Sequence, residues 1–65
     1  MSISSKELLL IKDNVKMAQN TISFLNSVAQ NCQDSQVRTM CEQVATEQQR
    51  DVQLLIKHVS TASLQ

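Results

Sequence analysis

The 65-residue chain has no glycine, proline, tryptophan or tyrosine, and Phe24 is its one aromatic residue. Without glycine it cannot form the glycine-rich loops that hold phosphate groups. Six basic side chains balance six acidic ones, so the formal net charge is zero. A nucleic-acid-binding module normally has excess Lys and Arg, or aromatic side chains on which bases stack. We therefore expect no nucleic-acid partner.

Long apolar runs and turn dipeptides are also absent. The longest apolar run, residues 8–11, is too short to span a bilayer or to form the core of a signal peptide. We therefore expect no membrane partner and a cytoplasmic location. The modest content of β-branched residues and the lack of turn dipeptides argue against β-sheet. These features predict an all-α protein.

Few residues could take part in catalysis, disulfide formation or metal binding. Cys32 and Cys41 are too few for a disulfide scaffold, and their spacing matches no zinc-binding pattern. His58 is the only histidine, and it has no expected Ser, Cys or acidic neighbour with which to form a catalytic pair. We therefore predict no enzymatic activity, no cofactor and no metal.

The first helix has a clear start and a regular apolar seam. Ser4 and Glu7 fit a capping box, in which each side chain pairs with the other residue's backbone N–H. Apolar residues then recur at alternating steps of three and four, which predicts an amphipathic helix over about residues 5–31. The seam residues are Leu8, Ile11, Val15, Ala18, Ile22, Leu25, Ala29 and Cys32.

The seam cannot continue beyond Cys32, because every later position in the same register is polar. We therefore predict a turn over about residues 32–35, with Asn31 in the left-handed conformation that often ends a helix. Asp34 is a suitable N-cap for a second helix over about residues 35–60. Residues 61–65 are expected to form a loose tail.

The second helix has its own apolar stripe, flanked by Met40 and Ile56. Because the turn is short, the two helices are expected to form an antiparallel hairpin. Residues whose numbers sum to about 67 should then lie side by side. The predicted stripe consists of Val37, Cys41, Val44, Gln48, Val52, Leu55, Val59 and Ala62.

The apolar arc of the first helix is wider than one neighbouring helix can cover. Leu10, Met17, Phe24 and Val28 extend the seam to an arc of about 160°. We therefore predict that two hairpins associate into a homodimeric four-helix bundle. The expected interface residues are Leu10, Met17, Phe24, Val28, Gln48, Val52 and Leu55.

Polar residues interrupt the second stripe at Glu47, Gln48 and Asp51. Gln48 is expected near Ala18 and is interpreted as a buried polar residue that fixes the register of assembly, with a ligand-facing amide as the alternative. A ferritin-like metal site is the alternative for the carboxylates, but Arg50 stands where that site needs histidine. We therefore favour an ion pair at the helix edge, with Asp51 near Lys16.

Four segments carry a resemblance to a known family. The chain resembles small two-helix proteins of spore-forming Firmicutes, which are similar to half of a spore coat F or ferritin-like helical domain. Members of that family carry His and aromatic residues in the middle of the second helix, where this chain has residues 47–51, so no ligand binding is transferred. The resemblance implies an oligomeric hairpin with a link to the spore coat. Its segments are Ser5-Lys6-Glu7-Leu8, Asn31-Cys32-Gln33-Asp34, Cys41-Glu42-Gln43 and Leu55-Ile56-Lys57-His58-Val59.

Two functional classes fit these features. The first is a small self-associating protein with a structural or interaction role, in the cytoplasm or associated with the spore. The alternative is an adaptor or antitoxin-like module that offers its apolar helical face to another protein. Both rest on the wide apolar arc, and the sequence names no partner.

Overall fold

A computed structural model describes residues 3–63, and these form two α-helices joined by a short connection. Helix α1 spans Ser5–Asn31 and helix α2 spans Ser35–Ser63. The helices pack against each other as an antiparallel hairpin, a slab of 48 × 16 × 10 Å. No strand occurs among the described residues. The predicted all-α hairpin is confirmed.

Helix α1 begins with the predicted capping box. The Glu7 backbone N–H donates to Ser4 Oγ at 3.1 Å, and the Ser4 backbone N–H donates to Glu7 Oε1 at 3.4 Å. The Ser4 hydroxyl also donates to Glu7 Oε1, at 2.8 Å. These bonds satisfy backbone donors that have no partner inside the helix, and they fix where α1 starts.

The connection between the helices is held by Asp34. Its Oδ1 accepts from the backbone N–H groups of Gln36 at 2.9 Å and Val37 at 3.0 Å, as expected of an N-cap. Arg38 Nη2 also donates to the Cys32 carbonyl at 3.0 Å. Three connecting residues are therefore enough to reverse the chain direction.

The left-handed cap predicted at Asn31 is wrong. No described residue has a positive φ, and the chain leaves α1 through extended backbone at Cys32, with φ −89° and ψ 130°. Asn31 stays helical, and its Nδ2 donates to the Ser27 carbonyl at 2.8 Å. The Cys32 carbonyl at this extended cap accepts a hydrogen bond from Arg38 of the next helix.

Helix α2 continues further than the sequence pattern indicated. It runs to Ser63, through residues 61–63 that were expected in a loose tail. Thr61 Oγ1 donates to the Lys57 carbonyl at 3.0 Å, a bond made within the last turns of the helix. Residues 64 and 65 of the expected tail lie outside the described residues. Neither helix formed by residues 3–63 has a stretch long and apolar enough to cross a membrane.

The core lies along the line where the two helices meet. All eight residues of the predicted seam, of which Cys32 lies just after α1, are buried or half-buried, as their spacing predicted. Within residues 3–63 the buried apolar side chains are few, and none of the large ones is completely enclosed. The buried residues are Ile22, Ala29, Ala45 and Val52.

The face that α2 turns towards α1 differs from the predicted stripe. Ala45, which the stripe omitted, is the most deeply buried residue, whereas Val37 and Val44 are exposed. Ala45 packs with Ile22 and Val52 in the core cluster. The buried face of α2 is therefore rotated away from Val44 and towards Ala45.

Candidate interaction surface

The hairpin has two broad sides, and a shallow groove between the helices marks each of them. Asn14 of α1 and Asp51 of α2 line one groove, which has a volume of about 240 Å³. Asn26 of α1 and Gln49 of α2 line the other. Since Asn14 and Asn26 lie on opposite flanks of the α1 seam, the two grooves identify opposite sides of the molecule.

Exposed apolar residues are concentrated on the Asn14 side. The described residues include ten large apolar side chains that are exposed. Helical spacing from Asn14 and Asp51, in steps of three, four or seven, places seven of them on that side, and Leu55 lines the groove itself. These eight are Leu10, Met17, Phe24, Val37, Met40, Val44, Leu54 and Leu55. With the half-buried Val28, they define the apolar face.

The opposite side of the hairpin is polar. Only Leu9 and Ile56, among the ten large apolar side chains that are exposed within residues 3–63, lie there. The remaining exposed residues of this polar face carry charged, amide or hydroxyl groups that water can solvate. They include Lys12, Lys16, Gln19, Ser23, Asn26, Glu42, Thr46, Gln49 and Gln53. The exposed large apolar side chains of the described residues are thus concentrated on one side of the molecule.

Polar residues divide the apolar face near its middle. Towards the connection lies the turn patch, formed by Phe24, Val28, Val37, Met40 and Val44. Towards the free ends lies the open-end patch, formed by Leu10, Leu54 and Leu55. Between them lies the polar waist, formed by Asn14, Glu47, Gln48 and Asp51, with Met17 on its α1 edge. The waist lies close to Ala18, the central residue of α1.

Some polar groups on this face already have partners within their own helix. Asn14 Nδ2 donates to the Leu10 carbonyl at 2.9 Å, and Thr21 Oγ1 donates to the Met17 carbonyl at 3.0 Å. A partner surface can therefore cover these groups without removing a hydrogen bond. The side chains of Gln48 and Asp51, by contrast, make no hydrogen bond or ion pair with any described residue.

The structure separates the residues that were predicted to form the interface. Leu10, Met17 and Phe24 are well exposed on the apolar face, and Leu55 lies at the edge of the groove. Val28 and Gln48 are half-buried, and Gln48 lines the groove. Val52 is buried in the hairpin's own core, so it does not belong to the exposed face. The α2 side of the face is instead supplied by Val37, Met40, Val44 and Leu54.

Asp51 lies across the groove from Asn14 and makes no ion pair with Lys16, so that predicted pair is wrong for the single hairpin. No three His, Cys, Asp or Glu side chains within residues 3–63 come together in a way that could hold a metal ion. The two cysteines are free thiols, both half-buried. The apolar face is therefore the candidate functional surface of the hairpin.

Comparison with known proteins adds no relative to this picture. No protein-family model, no curated protein and no solved structure matches the chain significantly. The resemblance to spore coat F and ferritin-like helical domains therefore stays a prediction.

Proposed function

We propose that this protein is a non-enzymatic, self-associating helical module with a structural or interaction role, and that two copies pack through their apolar faces as a four-helix bundle. The observation that carries the proposal is the segregation of exposed apolar side chains. Eight of the ten lie on one side of the described hairpin, and the other side is polar. Large apolar patches of this kind mark interaction surfaces in soluble proteins.

The small core of the hairpin supports a need for a partner. Four apolar residues are buried within residues 3–63, and none of the large side chains is fully enclosed. Small domains with so little core are rarely stable without a staple such as a disulfide, a metal or oligomerisation. Covering the turn patch and the open-end patch would add the side chains of Phe24, Met40 and Leu54 to a shared core.

The dimensions of the face fit a second copy. The broad side of the hairpin extends over 48 × 16 Å. A second hairpin of the same size would cover the whole face, and both apolar surfaces would leave water together. A two-fold axis makes such a contact self-complementary.

The resemblance to spore proteins supports a proposal for where this dimer is located in the cell. We propose a cytoplasmic bundle that associates with the spore coat. An adaptor that offers the same face to a different protein is the alternative function. The two differ in what covers the face when the chain is alone in solution, because only self-association completes the core without a second protein.

Sedimentation of the purified chain at micromolar concentration tests the proposal. We expect one species with the mass of a dimer or larger, and a far-ultraviolet circular dichroism spectrum typical of helix. Dilution should reduce the helical signal as the dimer dissociates, because an obligate dimer has no stable monomer. A monomer that remains helical and melts cooperatively at that concentration would contradict self-association and favour the adaptor alternative.

A further inference from the structure

The chain is neutral as a whole, but its charges are divided unequally between the two sides of the hairpin. The six basic and six acidic side chains are all exposed, and none of them forms an ion pair with another described residue. Asp34 lies in the connection. Groove contacts and helical spacing assign each of the others to one side of the molecule.

The apolar side carries four acidic side chains and one basic one. Glu47 and Asp51 stand in the polar waist. The other three lie within one helical turn of Leu10, which belongs to the apolar face. These three are Lys6, Glu7 and Asp13.

The polar side has the opposite excess, with five basic side chains and one acidic one. Arg38 and Glu42 line a groove on this side together with Asn26, and Arg50 lines a second groove there with the same asparagine. Lys57 follows Arg50 by two helical turns, so it lies on the same side. The bases are Lys12, Lys16, Arg38, Arg50 and Lys57, and the acid is Glu42. The apolar face is therefore also the acidic side of the hairpin.

We propose that the apolar face binds an amphipathic helix of another protein, one whose apolar seam is flanked by Lys and Arg. Such a helix matches the face in both respects, because its seam covers the exposed apolar side chains and its cations meet the carboxylates. A second copy of this chain matches only the apolar part, since it brings the same acids, and like charges across an interface disfavour binding. This inference rests on the apolar face as the interaction surface of the proposed function, and it does not require the dimer.

The shape of the surface suits a helix. A groove runs between the antiparallel helices α1 and α2, and a third helix can pack its row of side chains into such a groove. Residues 3–63 contain no strand to whose edge an extended peptide could add. Leu10, Met17 and Phe24 are exposed at intervals of two helical turns, so they offer a repeated contact along the face. Met17 and Met40 have flexible side chains that adapt to the shape of a partner.

The polar waist supplies charge at the middle of the groove. Asp51 lines the 240 Å³ groove beside Val15, Ala18 and Leu55. The stem of a Lys or Arg side chain can lie across these apolar residues while its cation reaches the carboxylate. Asp51 gives up no ion pair within the described hairpin when it does so. Exposed charge pairs are individually weak, so apolar burial supplies most of the affinity and the charges select the partner.

Three synthetic peptides of about 28 residues test the proposal, each about 42 Å long as a helix. The basic helix has leucine at the first and fourth positions of each heptad and lysine at most of the others. The acidic helix has glutamate in place of those lysines. The basic control keeps the lysines but has serine in place of leucine. Each peptide carries a fluorescein label, and its binding to the full chain is followed by fluorescence anisotropy at low salt.

We expect the basic helix to form a one-to-one complex, and the acidic helix to bind at least about tenfold more weakly. The basic control should not bind measurably, because charge pairs without apolar contact contribute little. Added salt should narrow the difference between the basic and acidic helices, since salt screens exposed charges.

Two matched charge reversals locate the binding surface. Asp51→Lys should weaken binding of the basic helix at least about tenfold, because it places a cation at the middle of the groove. Glu42→Lys makes the same reversal on the polar side, and its dissociation constant should stay within about threefold of the unmodified chain. Both side chains are exposed and outside any ion pair, so both variants should remain helical by circular dichroism.

Equal affinity for the basic and acidic helices would overturn the inference, and so would equal losses in Asp51→Lys and Glu42→Lys. A chain that sediments as a dimer on its own and binds neither helix would also overturn it, while leaving the proposed self-association intact. A chain that binds the basic helix but stays monomeric without it would instead refute the self-association and support this inference.

Discussion

Replacement of Phe24 by alanine is expected to dissociate the proposed dimer. The Phe24 side chain is 66 % exposed in the single hairpin and lies in the turn patch, so most of its burial would come from the second copy. Truncating a buried phenylalanine costs about 3–5 kcal/mol, and each dimer would lose two such side chains. The dissociation constant should therefore rise by at least about a hundredfold, which sedimentation equilibrium can measure.

Phe24→Leu provides the control for this variant. Leucine keeps a large apolar side chain at the same position, so the dimer should persist with a modest loss of affinity. If Phe24→Ala sediments as the unmodified chain does, the turn patch stays in water and the four-helix bundle is wrong. If Phe24→Ala and Phe24→Leu lose affinity equally, shape rather than apolar area controls the contact.

The second large effect is expected at Ile22, inside the hairpin. Ile22 is 8 % exposed and packs with Ala45 and Val52 in the core cluster. Ile22→Ala removes buried methyl groups and leaves a cavity, at a cost of about 2–5 kcal/mol in the free energy of unfolding. In a domain of this size the midpoint of thermal unfolding should fall by about 10 °C or more.

Ile56 is the matched control, since it has the same side chain but lies 43 % exposed on the polar face. Ile56→Ala should change the free energy of unfolding by no more than about 0.5–1 kcal/mol. Melting curves must be compared at one protein concentration, because dimerisation makes the midpoint concentration-dependent. Equal melting points for the two variants would mean that the described pairing of the helices is incorrect.

The sequence predicts α1 and its buried side well. Its seam has an unbroken spacing of three and four, and each of its positions is buried or half-buried in the structure. The capping box at Ser4 and the N-cap at Asp34 were also predicted, because each depends on side chains that are local in sequence. Features encoded within one or two helical turns can be read directly from the residue types.

Features that depend on the other helix were harder to predict. Ala45 was overlooked because pattern reading favours large apolar residues, whereas close helix packing favours a small one. The extended cap at Cys32 depends on Arg38, six residues further on. Val52 was assigned both to the inward stripe of α2 and to the interface, and the structure buries it within the hairpin with Ile22 and Ala45.

The α1 residues of the candidate surface were predicted better than its α2 residues. Leu10, Met17 and Phe24 lie on α1, whose orientation the seam fixes, and all three are exposed on the apolar face. On α2, Val37 and Val44 were expected to point inwards, whereas the structure leaves both exposed. The apolar pattern of α2, which contains both Val44 and Gln48, does not by itself decide whether Val44 or Ala45 faces α1. Only the contact with α1 decides it.

The most direct test of self-association through the apolar face compares two neighbouring leucines. Leu10 is 56 % exposed on the apolar face, and Leu9 is 63 % exposed on the polar face. The two side chains are identical and almost equally exposed in the hairpin, so only the side of the molecule differs. Dimer dissociation constants of Leu10→Ala and Leu9→Ala should be measured by sedimentation equilibrium. We predict at least about tenfold weaker dimerisation for Leu10→Ala and no measurable change for Leu9→Ala. Equal dissociation constants, or a larger effect at Leu9, would contradict assembly through the apolar face.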